Sequence, residues 1–419
     1  MASTIFLLNV GLRTVFTFLI AAMIAIWLVF VLYQLFLIFC AILPRHSVAN
    51  ITIFHRFHLI IPAHNEERLL GEVLHRLKEL DYDNELYNIV VIADNCSDAT
   101  ATIAKNCDVR CLERYNEDCK GKGYALAWAL DTLLAERNDP LDAYVILDAD
   151  SILSPNFLTE MNRLLNQGAK VIQARYIVLN TNDSWRTRLM SCALDLAHHA
   201  KPLGRRNIGL SDGLKGNGMC FLSEILRSVP WSGESITEDI DYALRLNERR
   251  IRIVYCPTAT VSAQMPVDSK QAETQRERWE CGRYGIMKRA LPILLKSISN
   301  NNLLLADRAL DILIPPFAEL FSLPIILLVI LEGLKLIGYH LPNTNWLLFG
   351  ISFVILLELV YLMAGLIIAK TPLRTALSLF QAPFYILWKF GLYARMIASG
   401  GVRTWNRTER QDFGSMAKK

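Results

Sequence analysis

Ala143-Tyr144-Val145-Ile146-Leu147-Asp148-Ala149-Asp150 is the stretch on which the fold turns: five apolar residues in a row, then two carboxylates separated by one residue. A short apolar run of this length reads as a buried strand, so Asp148 and Asp150 emerge where the strand leaves the core. On an extended segment residues i and i+2 point to one side, which predicts two carboxylates on a common face. Oxygen ligands at such a place suit Mg2+ or Mn2+, which keeps coordination positions open for phosphates. An acidic turn ahead of Pro155 would account for the same residues without a ligand.

Working towards the N-terminus, His58 to Pro62 and Ile89 to Ala93 read as buried strands with a helix over Glu66 to Leu80 between them. Val171 to Ala174 reads as a further strand, and from about Phe57 to Gln264 β-branched runs alternate with helical stretches, the pattern of an α/β layer domain. In such domains ligands gather at the carboxyl ends of the strands. Asp94 closes the second strand, and Asn95, Ser97 and Asp98 form a turn able to cap the next helix. Pro62-Ala63-His64-Asn65-Glu66 occupies the equivalent edge of the first strand; His64 reads as a surface histidine without a role. Lys120-Gly121-Lys122-Gly123 leads into a helix over Tyr124 to Leu134, where amides and a lysine can meet phosphate, although a solvated loop explains it too. Its glycine spacing is not that of a Walker loop.

Towards the C-terminus, Thr237-Glu238-Asp239 opens a helix running through Asp241 and Leu246. Thr237 as N-cap, with acids favoured in the first turn, is the plain explanation. Gln275-Arg276-Glu277-Arg278-Trp279 lies on an amphipathic stretch, Glu273 to Ser297. Arginines there can grip phosphate and an indole can stack on a sugar ring, while snorkelling arginines and an interfacial tryptophan form the alternative.

The flanks are of another composition. Over 419 residues the hydrophobic fraction is 53% and mean hydropathy +0.27, which points to membrane segments. Thr14 to Leu43 is apolar apart from Thr17, Tyr33 and Gln34, longer than the ~20 residues a span needs, and reads as an anchor, not a cleaved leader. Arg45, His46, His55, Arg56 and His58 follow it, so the polar middle is expected in the cytosol with the N-terminus outside. Phe317 to Ile337 and Trp346 to Ala369 read as further spans. Ala376 to Leu392 is interrupted by Gln381, Pro383 and Lys389. From Lys370 onward nine Lys/Arg stand against two acids, and a crossing over 376–392 would put the basic tail on the wrong side, so this segment reads as interfacial or re-entrant.

The expected layout is therefore an anchor at 1–44, a linker at 45–57, the α/β domain at 58–265, an amphipathic interfacial region at 266–305, spanning and re-entrant segments at 306–398, and a basic cytosolic tail at 399–419. A net charge of +4 gives nucleic-acid binding no support. The nine cysteines show no C-x-x-C pair or zinc spacing and read as reduced, mostly buried thiols, Cys220 and Cys281 included.

In this order and setting the clusters, with Ile61-Pro62-Ala63-His64-Asn65-Glu66-Glu67 and Trp405-Asn406-Arg407-Thr408-Glu409-Arg410, resemble the membrane-integrated glycosyltransferases of family 2, the group of the cellulose, chitin, hyaluronan and poly-N-acetylglucosamine synthases. The resemblance spans roughly residues 57 to 410. It implies a GT-A-type (Rossmann-like) α/β domain inserted between transmembrane helices. It further implies nucleotide contacts from Pro62, Ala63, Asn65, Glu66, Asp94, Lys122 and Asp148, and Mg2+ or Mn2+ on Asp150. Asp239 would be the catalytic base with Glu238 beside it, and Gln275, Arg278 and Trp279 would meet acceptor and diphosphate. Gly216-Asn217-Gly218-Met219 would lie near the acceptor, and the Trp405 to Arg410 string would gate the site.

The implied reaction is a single inverting displacement from UDP-N-acetylglucosamine or UDP-glucose, building a β-linked polysaccharide at the plasma (inner) membrane. Three spans make a thin channel, so export would call for an accessory subunit or self-association. The alternative is transfer of one sugar to a ceramide- or diacylglycerol-type lipid, as ceramide glucosyltransferases do with a related Q-x-x-R-W string. A membrane scaffold or transporter with a dead nucleotide domain is a reading of a different class; UDP-sugar hydrolysis separates it from the enzymes.

Overall fold

The structure is a computed structural model that describes residues 2–44, 52–136, 139, 141–235 and 237–399. After a long helix α1 (Ala2–Ile42), the chain alternates β1 (Arg56–Ala63), α2 (Leu70–Leu77), β2 (Tyr87–Asp94), α3 (Thr100–Asn106), β3 (Arg110–Arg114), α4 (Lys122–Glu136), β4 (Asp142–Ile146) and β5 (Ser151–Leu153). It continues through α5 (Phe157–Asn166), β6 (Val171–Val178), α6 (Trp185–Leu194), a π-helical turn Asp195–Ala200, α7 (Lys201–Asn207), β7 (Met219–Leu222), α8 (Ser223–Ser228), α9 (Glu238–Glu248) and β8 (Ile253–Ala263). Seven helical pieces close the described chain: α10 (Ser269–Ser299), α11 (Leu303–Leu313), α12 (Phe317–Leu336), α13 (Thr344–Ala369), α14 (Leu373–Ala376), a 3-10 turn Leu377–Gln381, and α15 (Ala382–Ser399).

One eight-stranded sheet runs β3-β2-β1-β4-β7-β6-β8-β5. The first four strands are parallel, and β7 enters antiparallel between β4 and β6. Both faces are covered, as parallel strands require. Leu59 and Ile61 of β1 pack towards α2 and α5, against Leu70, Leu74, Phe157 and Met161. Ile60, on the opposite face, joins Leu126 and Leu130 of α4 and Tyr242 of α9. That two-sided burial is why the strands read as continuous apolar runs and not as alternating ones.

Among the described residues, three helices are long and apolar enough to cross a membrane: Gly11–Ile42 within α1, Phe317–Leu336 and Thr344–Ala369. The sheet domain grips the end of α1 through α7. A side chain at Gly204 would come within 2.0 Å of the Leu37 carbonyl oxygen, so only glycine lets the two helices meet. One turn on, the Asn207 amide donates to the carbonyls of Cys40 and Leu43, each at 3.0 Å. Beside this contact Arg205 bonds Asp307 at 2.9 Å and Asp311 at 2.7 Å, Lys201 bonds Asp311 at 2.9 Å, and Arg205 also donates to the Tyr33 hydroxyl at 2.8 Å.

Several expectations are corrected. The helix expected over Glu66 to Leu80 is confined to Leu70–Leu77, because Asn65 takes a positive φ of 56° and the residues after it are held in a turn. β3, β5, β7 and β8 were not read from the sequence; the first three have only three to five residues, and β8 is broken up by Pro257, Thr258 and Thr260 among its apolar residues. The apolar segment Ala376 to Leu392 is not one helix: Pro383 sits in the first turn of α15, where its missing N–H costs nothing. Of the nine cysteines, all free, Cys40, Cys192, Cys220 and Cys256 are buried and five are half-buried, fewer than expected. The Trp405 to Arg410 string, the basic tail, and Arg45 with His46 lie outside the described residues.

Candidate active site

The carboxyl ends of β1 and β2 lie side by side, with Pro62 opposite Ile92 and Ala63 opposite Ala93. Asp94 is buried there, and Arg114, at the end of β3, donates to its carboxylate at 2.5 Å. Arg114 also reaches the Cys119 carbonyl at 2.8 Å, so it ties the β2 end to the loop before α4. No sequence signal had singled out Arg114, since its strand had not been recognised. Asn65 uses its left-handed backbone, which asparagine tolerates better than most residues, to aim its side-chain oxygen at the Ser97 amide, 2.8 Å away. The Glu66 amide donates to the Thr100 hydroxyl at 2.8 Å. Asn65 and Glu66 thus pin the β1 loop to the β2 loop. His64 also has a partner, its ring nitrogen lying 2.8 Å from the Asp94 carbonyl oxygen. Asp98, read as a possible cap, does accept from the Thr100 amide at 2.9 Å.

β4 ends two strands away from β2, roughly 10 Å across the sheet at the usual strand spacing. Here the extended backbone on which the common-face expectation rested is replaced by a turn. Asp148-Ala149-Asp150 is a turn between β4 and β5, closed by the Ser151 amide on the Asp148 carbonyl at 3.1 Å. The two carboxylates therefore have different surroundings: Asp148 is half-exposed, whereas Asp150 is buried beside the Ser151 hydroxyl at 3.4 Å. Asn217 shapes the turn by accepting from the Asp148 amide at 3.1 Å and donating to the Ser151 hydroxyl at 2.8 Å. Gln173 in turn donates to the Asn217 carbonyl at 2.8 Å and accepts from the Lys215 amide at 2.9 Å. The Gly216 to Met219 segment accordingly lies beside Asp148.

Lys122 is the centre of the arrangement. It stands in the first turn of α4, which starts earlier than expected, and its ammonium bonds the Asp148 carboxylate and the Gly216 carbonyl, the latter at 2.5 Å. Burial alone would lower its pKa, but Asp148, Glu238 and Asp239 together hold it above the usual lysine value. Gly216, with φ of 72°, brings its backbone so close that a side chain there would touch the Asp239 carboxylate at 3.4 Å and the Lys122 ammonium at 3.9 Å. Lys122, Asp148, Gly216, Glu238 and Asp239 form one cluster.

Within it three carboxylates face one ammonium. Burial, then the neighbouring Asp239, raises Glu238 to about 7; burial raises Asp239 to about 6, against the pull of the Ile240 amide and Lys122. The values belong to the pair, since the two groups titrate together. Thr237 is the N-cap residue of α9 but its side chain makes no capping bond; the Asp239 carboxylate accepts the Ile240 amide instead, at 2.9 Å. What Thr237 does is pack: a side chain at Gly282 would meet its methyl at 2.2 Å, so α10 is drawn onto the start of α9.

The same helix α10 carries Gln275, Arg278 and Trp279. Gln275 is buried, and Trp279 packs with Met190 and Tyr176 against Val178, Leu194 and Met265. The Arg276 guanidinium lies 5.5 Å from the Trp279 ring centre and 5.8 Å from that of Tyr385 on α15. Lys389 of α15 is buried against Glu280 at 2.7 Å and bonds Glu319 as well, so α15 is latched to α10 and α12.

Among the described residues no three His, Cys, Asp or Glu side chains cluster as a protein-made metal cage. Asp148 and Asp150 nevertheless fit a hard divalent cation. Two carboxylates at one turn, with an ammonium already drawn to Asp148, make an oxygen donor set that leaves most positions to phosphate and water.

An α/β sheet with strand-end carboxylates, flanked by apolar helices, is the architecture of a GT-A glycosyltransferase, and a solved structure bears out the fold. The mannosyltransferase of Pyrobaculum calidifontis, determined with GDP-mannose and Mn2+, superposes with a TM-score of 0.53 over 86% of this chain and 99% of that one, at 15% identity. The chain belongs to the glycosyltransferase like family 2, whose model matches residues 55–282, more than half of its length. It is similar to the β-monoglucosyldiacylglycerol synthase of Trichormus variabilis, 28% identical over 54% of this chain and 48% of that protein. It is also similar to a probable glucomannan 4-β-mannosyltransferase of Arabidopsis thaliana, 23% identical over 55% and 43%. The chain spans about half the length of these curated relatives.

Proposed function

We propose that this protein transfers a hexose from a UDP-sugar to an acceptor hydroxyl at the membrane surface, with inversion, using Asp239 as general base. The observation that carries the reading is the Lys122, Asp148, Glu238 and Asp239 cluster, where one ammonium offsets three carboxylates and Asp239 is left with a raised proton affinity. A base poised nearer neutrality can take the acceptor proton as its oxygen attacks the anomeric carbon. Glu238, adjacent and also raised, keeps the pair's charge in check. Pro62, Ala63 and Asp94 border the nucleotide, Asn65 and Glu66 hold the loop that frames it, and Lys122 and Arg278 meet the diphosphate, so that catalysis is mainly positioning and charge compensation. Mg2+ or Mn2+, when bound by Asp150 with Asp148, would neutralise charge developing on the leaving diphosphate. Gln275 and Trp279 line the acceptor side.

Two products are compatible with this chemistry, a β-linked polysaccharide and a glycolipid. The space between α1, α12 and α13, lined by Met23, Trp27, Pro324 and Val354, is about 20 Å3, room for no more than a water molecule. One-sugar transfer to a diacylglycerol- or ceramide-type lipid is the reading supported by the likeness to the β-monoglucosyldiacylglycerol synthase. A polymer would need a route made with an accessory subunit or a second copy. On this reading the protein is a multi-pass inner-membrane enzyme, its sheet domain in the cytosol, α15 interfacial, and the domain limits those given above.

The deciding experiment incubates purified protein with radiolabelled UDP-glucose or UDP-N-acetylglucosamine, Mn2+ and diacylglycerol-containing micelles. Label in the organic phase, migrating as a single-sugar lipid, is the expected result. High-mass material degraded by one specific glycosidase would instead establish the polymerase, and no donor turnover with either sugar would remove the transferase reading.

A further inference from the structure

At the opposite edge of the sheet from Asp148, where β6 and β8 begin, lies a second cavity of about 350 Å3. This is within the size range of small-ligand pockets. Lys170, Arg206, Arg250 and Arg252 line it together with Gln167, and no carboxylate does. Arg250 and Arg252 are oriented by bonds to neutral backbone carbonyls. Arg252 donates to the carbonyls of Leu210 at 2.9 Å and Arg206 at 3.0 Å, and Arg250 to those of Asn300 at 3.0 Å and Asn301 at 3.2 Å. Two acids stand nearby: Glu224 pairs with the cavity's own Lys170 at 2.8 Å, and Glu160, bonded to Arg163 at 2.8 Å, also interacts with Arg206, so the cations still outnumber the acids.

The position of the cavity identifies the ligand's source. Arg206 is adjacent to Asn207, whose side chain holds the last carbonyls of the apolar helix α1. Phe39, Ile42 and Leu43 at that end are exposed, as are Ile53 and Phe54. Ile53 is held by Asn166 through bonds of 3.0 and 2.8 Å, next to the Gln167 that lines the cavity. A concave site with three arginines and an ion-paired lysine, near exposed apolar side chains where a candidate span ends, matches a phosphate at the surface of a bilayer.

We propose that this cavity binds the phosphate of an anionic membrane lipid, separately from the transfer site. Bound lipid would fix the sheet domain against the membrane through Arg206 and α7. The inference does not depend on which sugar or acceptor is used.

Native mass spectrometry of the detergent-purified full chain, titrated with phosphatidylglycerol and with phosphatidylcholine of matched acyl chains, tests it. Phosphatidylglycerol should be retained preferentially, and Arg206→Gln and Arg250→Gln should each weaken its retention about five-fold, the effect of one basic side chain near a membrane. Lys105→Gln, on a distant exposed helix, should leave retention unchanged. Equal retention of the two lipids, or unaltered phosphatidylglycerol binding in the Arg206→Gln, Arg250→Gln double variant, overturns the proposal. Melting temperatures in phosphatidylcholine report whether each variant is folded. If inorganic phosphate raises the melting temperature of lipid-free protein as much as phosphatidylglycerol does, and the double variant loses that effect, the site belongs to a soluble phosphate and the membrane source is refuted.

Discussion

Two clusters of buried charge in this molecule have opposite balances. Around Arg205, at the junction of α7, α11 and α1, the cations Lys201, Arg205 and Arg308 face Asp307 and Asp311 in close ion pairs. Burial alone would raise Asp311, yet Arg205, Lys201 and Arg308 hold it well below the usual carboxylate value. Around Lys122 one ammonium serves three carboxylates, and Glu238 and Asp239 are pushed up. The first cluster has more cations than carboxylates and joins the sheet domain to α1. The second is left short of positive charge, which is the condition expected of a site that awaits a cation and a diphosphate. Burial is common to both; the ratio of charges decides which cluster is structural and which is poised for chemistry.

The largest expected effect separates the two in kind. Asp239→Asn should lower transfer by roughly 10^2 to 10^4-fold, the range for loss of a general base, while donor affinity measured by UDP titration stays the same; residual turnover near wild type would remove Asp239 from its role. Because the variant also takes away a charge that the fold holds at a cost, its melting temperature at neutral pH should rise.

In the cation-rich cluster the sign reverses. Arg205→Met leaves Asp307 and Asp311 without their main partner and should cost about 3–5 kcal/mol, as for a broken buried pair, read as a sharp fall in melting temperature. A melting temperature within error of wild type would show that the cluster is not a structural clamp.

Asp150→Ala should weaken UDP binding in Mn2+ but not in EDTA, so a loss that persists in EDTA would mean that Asp150 acts otherwise than through metal.

The two clusters should also respond to pH in opposite senses. A raised carboxyl is better protonated in the folded state, so acidification from about 7 towards 4 should relieve the Glu238/Asp239 pair. The same acidification should cut kcat/KM as the Glu238/Asp239 pair takes up protons and Asp239 loses its basic form. Asp311, held down, contributes stability that is kept through this window and lost only at more acidic pH. Lys122→Met should lower turnover, because Lys122 meets the diphosphate, and its finest signature lies in pH: without the ammonium both carboxyls rise further, and the acid limb of the remaining rate should move to higher pH. A limb that stays in place or moves down would contradict the coupling of Lys122 to the pair.

Much of the sheet domain was legible because a strand buried on both faces must be apolar throughout. β1, β2 and β4 announce themselves as runs, and the polar residue that follows each run marks the sheet's carboxyl edge. α1, α12 and α13 were legible for a similar reason, since few soluble cores need so long an apolar stretch. β3, β5 and β7 were not, because three to five residues carry too little periodicity, and with β3 went Arg114. Lys122 was identifiable from its loop, but not its bond to Asp148. That bond depends on α4 starting two residues earlier than expected and on Gly216 arriving from 94 residues away.

The sequence by itself therefore determined the class of the domain, its membrane flanks and the candidate carboxylates, because hydrophobic runs and strand-end polar residues are local properties of the chain. Only the tertiary structure decided that Asp148 and Asp150 stand in different surroundings, that Asn65 and Glu66 pin loops, and that Glu238 and Asp239 share one lysine. It also placed Arg206, Arg250 and Arg252 around one cavity. Proton affinity and charge balance depend on what surrounds a group in space, and those neighbours come from segments far apart in the chain.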